Sequence, residues 1–103
     1  MFRGILSTIY IETKKNISGK KIYNILKNYH KKNFFVKMAK YNTTIGTGDV
    51  MNTNFCKISV CENRKKNNII IISAIDNLLK GGSGQAVQNM NVAFNIKETT
   101  GLI

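Results

Sequence analysis

The residues best suited to chemistry in this chain stand together near the C-terminal end of its 103 residues. Asp76 and Asn77 close a β-branched run, and Gly81, Gly82 and Gly84 follow, leading into the amides Gln85, Gln88 and Asn89. Glycines between a strand and a helix let the backbone come close to a ligand. The helix they open presents unpaired N–H groups at the positive end of its dipole. That combination suits recognition of a phosphate or a carboxamide. The same letters also fit a plain turn with Ser83 as the helix N-cap.

Other reactive side chains are less well placed. His30 sits in a Tyr-His-Lys-Lys run, where it complements a helix C-terminus. A general base needs a partner carboxylate or thiol, which the local sequence does not supply. Cys56 and Cys61 fall in one predicted strand at an odd separation, hence on opposite faces, and should not pair. No C-x-x-C or His/Cys cluster points to zinc, and neither thiol has a helix N-terminus or a nearby His to activate it.

Composition limits the partners. The formal charge of +11 comes from fourteen lysines and two arginines spread along the whole chain. Nucleic-acid readers lean on Arg for bidentate contacts and on aromatic side chains for stacking. The excess therefore reads as a solvated surface and argues against a dedicated nucleic-acid site. A small basic module that binds nucleic acid or another chain stays open as the competing reading. No apolar run reaches the ~18 residues of a membrane span. The first residues have neither the sustained apolar core nor the cleavage site of a signal peptide. A cytoplasmic protein with no membrane partner is the expectation.

The elements that must hold Asp76 and Asn77 can be read from patterning. Residues 4–12 are β-branched and aromatic, apolar on both faces, and predict a strand interior to a sheet. Ser18 caps a helix whose apolar stripe is Ile22, Ile25, Leu26 and Tyr29. Residues 34–38 form a short strand, and 41–54 a long loop rich in Thr, Asn and Gly. Residues 55–62 and 68–75 form a hairpin, the second strand central because its isoleucines are apolar on both faces. A last helix over 83–94 places Ala86, Met90, Ala93 and Phe94 on a core stripe, with Gln85, Gln88 and Asn89 opposite. The fold class is α+β: an antiparallel or mixed sheet of about four strands with a packed helix and a C-terminal helix.

The wording of four stretches adds to this. Ser73-Ala74-Ile75-Asp76-Asn77-Leu78, Lys80-Gly81, Gly84-Gln85-Ala86-Val87-Gln88-Asn89-Met90-Asn91 and Glu98-Thr99-Thr100-Gly101-Leu102 closely follow one pattern. They resemble the C-terminal signature of the N-acetyl-gamma-glutamyl-phosphate reductases, relatives of aspartate-semialdehyde dehydrogenase. That family typically reads S-A-I-D-N-L-x-K-G-A-A-G-Q-A-V-Q-N-M-N and ends P-E-T-x-G-L. Met1-Phe2-Arg3-Gly4 similarly resembles its P-M-x-R-G element, and Val50-Met51-Asn52-Thr53-Asn54 its V-x-G-[ST]-N loop end. Asn52 stands where the family has Gly, and an Asn tolerates positive φ. Asn95 and Lys97 stand where it usually has Gly and Pro, which implies a longer or looser ending.

The resemblance implies an NADP(H)-dependent reductase acting on an acyl phosphate in arginine biosynthesis, with a lysine-pathway relative as the alternative. It implies that Asn77 fixes the nicotinamide carboxamide, that Gly81, Gly84 and Gln85 approach the cofactor, and that Arg3 holds an anionic substrate group. No catalytic residue falls in this segment. The family's nucleophilic Cys, its His and its dinucleotide fingerprint lie upstream of the P-M-x-R-G element and have no counterpart here. Residues 1–80 correspond to part of a catalytic and dimerisation domain. Residues 81–103 form a helix and tail that would pack on an NADP-binding domain. The segment alone is expected to be inactive, and a homo-oligomer is the implied assembly.

Overall fold

In the computed structural model, which describes residues 3–103, the chain forms a four-stranded mixed sheet with two helices. The elements are β1 (Ile5–Glu12), α1 (Gly19–His30), β2 (Val36–Met38), β3 (Cys56–Glu62), β4 (Asn68–Ile75) and α2 (Gly84–Ala93). The α+β class expected from patterning is the class observed. Met1 and Phe2 of the sequence motif lie outside the described residues.

Strand order is β1-β4-β3-β2; β4 pairs antiparallel with β1 and β3, and β2 pairs parallel with β3. The β-branched β4 is therefore central, as its two apolar faces predict. β1 is not: it lies at the edge, and Ile5, Leu6, Ile9 and Tyr10 are exposed, Tyr10 to 69%. Its doubly apolar pattern signals surface left uncovered within this chain rather than an interior position.

Ser18 caps α1, its Oγ accepting from the N–H of Lys21 at 3.2 Å. The helix packs on one sheet face through Tyr23, which joins Val60 and Ile69 in a core flanked by Ile11, Ile22, Leu26, Met38, Tyr41 and Ile71. The expected stripe is thus rotated: Ile25 and Tyr29 are exposed, and Tyr23 takes the buried place. The ring of Tyr23 meets Tyr41 edge-on at 5.8 Å, a contact from outside the helix that its own periodicity does not contain. On the opposite face, Thr43 lies over β3, its O accepting from Ser59 Oγ and from Cys61 Sγ. Cys56 and Cys61 are free thiols.

After β4 the chain makes one wide turn, Leu79–Ser83. Gly81 N–H donates to Asp76 O at 3.0 Å and Ser83 N–H to Leu78 O at 3.0 Å, both spanning five residues. Ser83 is accordingly not a side-chain cap; its Oγ donates to Leu78 O. Gly84 N–H bonds to Leu79 O. Hence N–H groups that the sequence suggested would be unpaired at the start of α2 are bonded to the turn beneath.

The orientation of α2 also departs from expectation. Ala86, Met90, Ala93 and Phe94 face outward, Phe94 exposed to 73%, while Gly84, Val87, Gln88 and Asn91 face inward. The inward set has the same helical spacing, and hydrogen bonds select it. Asn91 Nδ2 donates to the carbonyls of Glu98 and Thr100, both at 3.0 Å, folding the tail against the helix. Asn95 turns the chain with φ 56°, adopting the conformation a glycine would take there. The ending is held in place rather than loosened.

Candidate functional site

The antiparallel register brings the candidate residues to one end of the sheet. Ile5 pairs with Ile75 on one side and Cys56 pairs with Ile75 on the other. The segments just beyond these pairs, 3–4, 52–54 and 76–81, must therefore converge.

Asp76 lies at the centre of this convergence and is 1% exposed. Its Oδ2 accepts from Arg3 Nε at 3.0 Å, Arg3 Nη2 at 2.7 Å and the N–H of Asn52 at 2.8 Å. Its Oδ1 accepts from the N–H groups of Leu78 at 2.9 Å and Leu79 at 3.3 Å, which closes an Asx turn at the end of β4. Asn52 supports the cluster from its side chain as well, Oδ1 accepting from Arg3 Nη2 at 2.6 Å. It has φ 64°, so this Asn does adopt the backbone that a glycine would.

Asn77 stands beside this ion pair. Its Oδ1 accepts from the N–H of Gly4 at 2.8 Å, and its Nδ2 makes no hydrogen bond among the described residues. Gly4 has φ +120°, and a Cβ there would stand 2.6 Å from Cβ of Thr47, so only glycine permits this approach. Gly81 is exposed beside Asn77, at 3.9 Å from Asn77 Cβ to an ideal Cβ built on the glycine.

The remaining sequence candidates lie around this centre. Gly84 is buried, and a Cβ on it would collide with Asn54 Oδ1 and with Leu79 O. Gln85 donates through Nε2 to Asn89 Oδ1 at 2.7 Å along α2, with no hydrogen bond to Arg3, Asp76 or Asn77 among the described residues. The Nε–Nη2 side of Arg3 is already engaged with Asp76 and Asn52, and its side chain is 24% exposed.

Sequence reasoning named two of these groups without their partners. One is the Asp76 carboxylate, whose partner Arg3 is distant in sequence and meaningful only once the strand register is known. The Asp-Asn-Leu-Leu turn at the end of β4 was the available signal. The other is Gln88, whose Oε1 accepts from Lys80 Nζ at 2.7 Å and Asn54 Nδ2 at 3.0 Å while its Nε2 donates to Glu98 at 3.0 Å. It ties turn, loop and tail together. Burial pushes the Lys80 amine below its usual pKa, with Cys56 and Glu98 acting the other way.

Burial alone would push the Asp76 carboxyl up. The N–H groups of Asn52 and Leu78, the Arg3 guanidinium and the Leu79 N–H outweigh it and hold the pKa at about 2, below the ordinary 3.8. A lowered folded-state value contributes stability above the ordinary pKa, and that contribution is lost as pH falls through the folded value. Melting temperature is expected to fall between about pH 4 and about pH 2. The fall should be shallower in an Arg3→Met/Asp76→Asn variant. Identical acid profiles for the two proteins would show that this pair does not govern the transition.

His30 stands at the C-terminus of α1, its Nδ1 2.9 Å from Asn33 Nδ2, and makes no hydrogen bond to Arg3, Asp76 or Asn77 among the described residues. Among the described residues no group of three His, Cys, Asp or Glu is arranged to hold a metal. No helix among them is long and apolar enough to cross a membrane. Two open grooves of about 540 and 470 Å³ are lined largely by lysine and asparagine, and neither includes Arg3, Asp76 or Asn77. The candidate site is therefore an open edge shaped by the Arg3–Asp76 pair, with the amide of Asn77 presented at its surface.

Residues 1–77 match the family described as semialdehyde dehydrogenase, dimerisation domain. The chain is 47% identical over 102 residues to the N-acetyl-gamma-glutamyl-phosphate reductase of Thermoanaerobacter sp. (strain X514), covering 99% of the chain and 30% of that relative. It is 44% identical over 101 residues to the reductase of the same name from Brachyspira hyodysenteriae, covering 97% of the chain and 29% of the relative. Against that of Staphylococcus saprophyticus it is 39% identical over 103 residues, covering 100% of the chain and 30% of the relative. The chain thus spans about 30% of the length of the curated relatives it matches, their C-terminal part.

Proposed function

This chain belongs to the semialdehyde dehydrogenase dimerisation-domain family, and from that premise we propose that it is the C-terminal portion of an NADPH-dependent N-acetyl-gamma-glutamyl-phosphate reductase. The reaction proposed for the intact enzyme converts an acyl phosphate to a semialdehyde in cytoplasmic arginine biosynthesis. A Cys thiolate and a His base are its ordinary requirements. No Cys–His pair is offered among the described residues: Cys56 contacts Ser73 at 3.5 Å, Cys61 is held by Thr43 and Ser59, and His30 meets Asn33. Catalysis by this segment alone is therefore not part of the proposal.

NADPH, when bound, supplies the hydride. The chain's own residues hold its nicotinamide end. Asn77 meets the carboxamide, and Gly81, having no side chain, leaves room beside it. Gly84 lets α2 close against Asn54, which places Gln85 at the start of the helix facing the cofactor domain. Arg3, its charge balanced by Asp76, offers its remaining Nη1 to an anionic group of the substrate. The observation that carries this reading is Asn77, fixed through Oδ1 by Gly4 N–H with Nδ2 making no hydrogen bond among the described residues.

The test is to fuse this chain behind the N-terminal part of the Thermoanaerobacter relative, replacing the matched 30%, and to follow acyl-phosphate-dependent NADPH oxidation. Turnover well above that of the truncated relative is expected. A folded fusion with no turnover and no NADPH binding would refute the reading.

The proposed assembly is a homo-oligomer formed through the sheet face away from α1, where Leu6 and Tyr10 stand exposed. Tyr10→Glu is expected to shift the sedimenting species of the fusion towards the monomer, because a charge on such a face costs several kcal/mol to bury. An unchanged mass would place the contact elsewhere.

A further inference from the structure

Resting on the reading that Asn77 meets the nicotinamide carboxamide, we infer that Asp76 is the positioning residue that fixes Asn77 as an outward-facing hydrogen-bond donor. The buried carboxylate divides its work between its two oxygens. Oδ1 holds the turn that follows Asn77, through the N–H groups of Leu78 and Leu79. Oδ2 holds Arg3 and Asn52, and through Arg3 it fixes the neighbouring Gly4. Gly4 N–H in turn donates to Asn77 Oδ1 at 2.8 Å. Since an N–H can only donate, the oxygen of the Asn77 amide must face Gly4 and its NH₂ must face away. The group presented to a ligand is therefore a donor, and it matches the carbonyl oxygen of a carboxamide.

Asparagine at position 76 would separate the two halves of this arrangement. Its oxygen can still accept from Leu78 and Leu79. Its NH₂ would then face Arg3 and the Asn52 N–H, setting donors against donors. The turn survives while the Arg3–Gly4 segment is released, and Asn77 becomes free to flip its amide.

The measurement is cofactor affinity in the fusion with the Thermoanaerobacter N-terminal part. The ligands are NADPH and its 3-acetylpyridine analogue, which keeps the carbonyl acceptor but lacks the amide NH₂. The parent is expected to bind the two within about threefold, because the donor of Asn77 needs only the carbonyl. Asp76→Asn is expected to weaken NADPH about tenfold and to raise its KM more than it lowers kcat. Arg3→Met/Asp76→Asn removes the donor conflict at Arg3. It should regain melting temperature without regaining NADPH affinity, and it carries the comparison if the single variant does not fold.

A merely structural Asp76 would make stability and affinity recover together in the double variant, and that result overturns the inference. So does a folded Asp76→Asn protein with unchanged NADPH affinity, or a parent that binds NADPH but loses the acetylpyridine analogue about tenfold. A parent fusion that binds neither ligand overturns the underlying reading as well.

Discussion

Asn77→Ala in the fused enzyme is expected to lower kcat/KM for NADPH about 100-fold. The substitution removes the donor proposed to orient the nicotinamide and leaves Gly4 N–H without its acceptor. Misplacing a reacting group by about 1 Å costs on the order of 100-fold even when the chemical groups are intact. The loss should fall on both parameters: KM for NADPH rises by at least the roughly tenfold expected of Asp76→Asn, because the same donor is lost, and kcat falls because the ring is no longer oriented. Asn77 is half-buried and belongs to no core cluster, so melting temperature should move by only a few degrees. A loss below about threefold in kcat/KM would leave Asn77 without the role given to it.

The largest stability effect is expected at Gly84. A Cβ at this position would lie 2.7 Å from Leu79 O and 2.8 Å from Leu79 C, and would also meet Asn54 Oδ1. Two of these atoms are backbone in the wide turn, so no side-chain rotation relieves the clash. Asn54 is pinned by its bond to Gln88, which is itself held by Lys80 and Glu98. Gly84→Val should therefore cost about 3 kcal/mol, equivalent to roughly 12–24 °C in melting temperature for a domain of this size. Gly46→Ala is the control, because nothing lies within 4 Å of its Cβ position. It should stay within about 0.5 kcal/mol of the parent. Equal effects of the two substitutions would show that helix propensity, not the close approach of α2, sets the cost.

The sheet was legible because its information is local. β-branched runs named β1, β3 and β4, a polar turn named the hairpin, and Ser18 named the start of α1. What patterning could not supply was which surfaces meet. Tyr23 is buried because Tyr41 from a distant loop packs against it. β1 reads as interior because both its faces are apolar, yet in this chain β4 pairs with only one of its edges. α2 carries two stripes of helical spacing, one apolar and one rich in amides. The sequence favours the apolar one by hydrophobicity, while the hydrogen bonds of Asn91 and Gln88 turn the amide stripe inward. In the site, Asn77 and the glycines were visible as a motif. The Arg3–Asp76 pair was not, since it joins residues that only the antiparallel register places side by side.

The proposed function requires residues 76–81 to meet the nicotinamide end of the cofactor. Hydrogen–deuterium exchange on the fused enzyme tests this directly, comparing NADPH with adenosine 2′,5′-bisphosphate, which lacks the nicotinamide. NADPH is expected to slow exchange in the peptide spanning residues 75–82, and the bisphosphate to leave it unchanged. No slowing with NADPH, or equal slowing with both ligands, would contradict it.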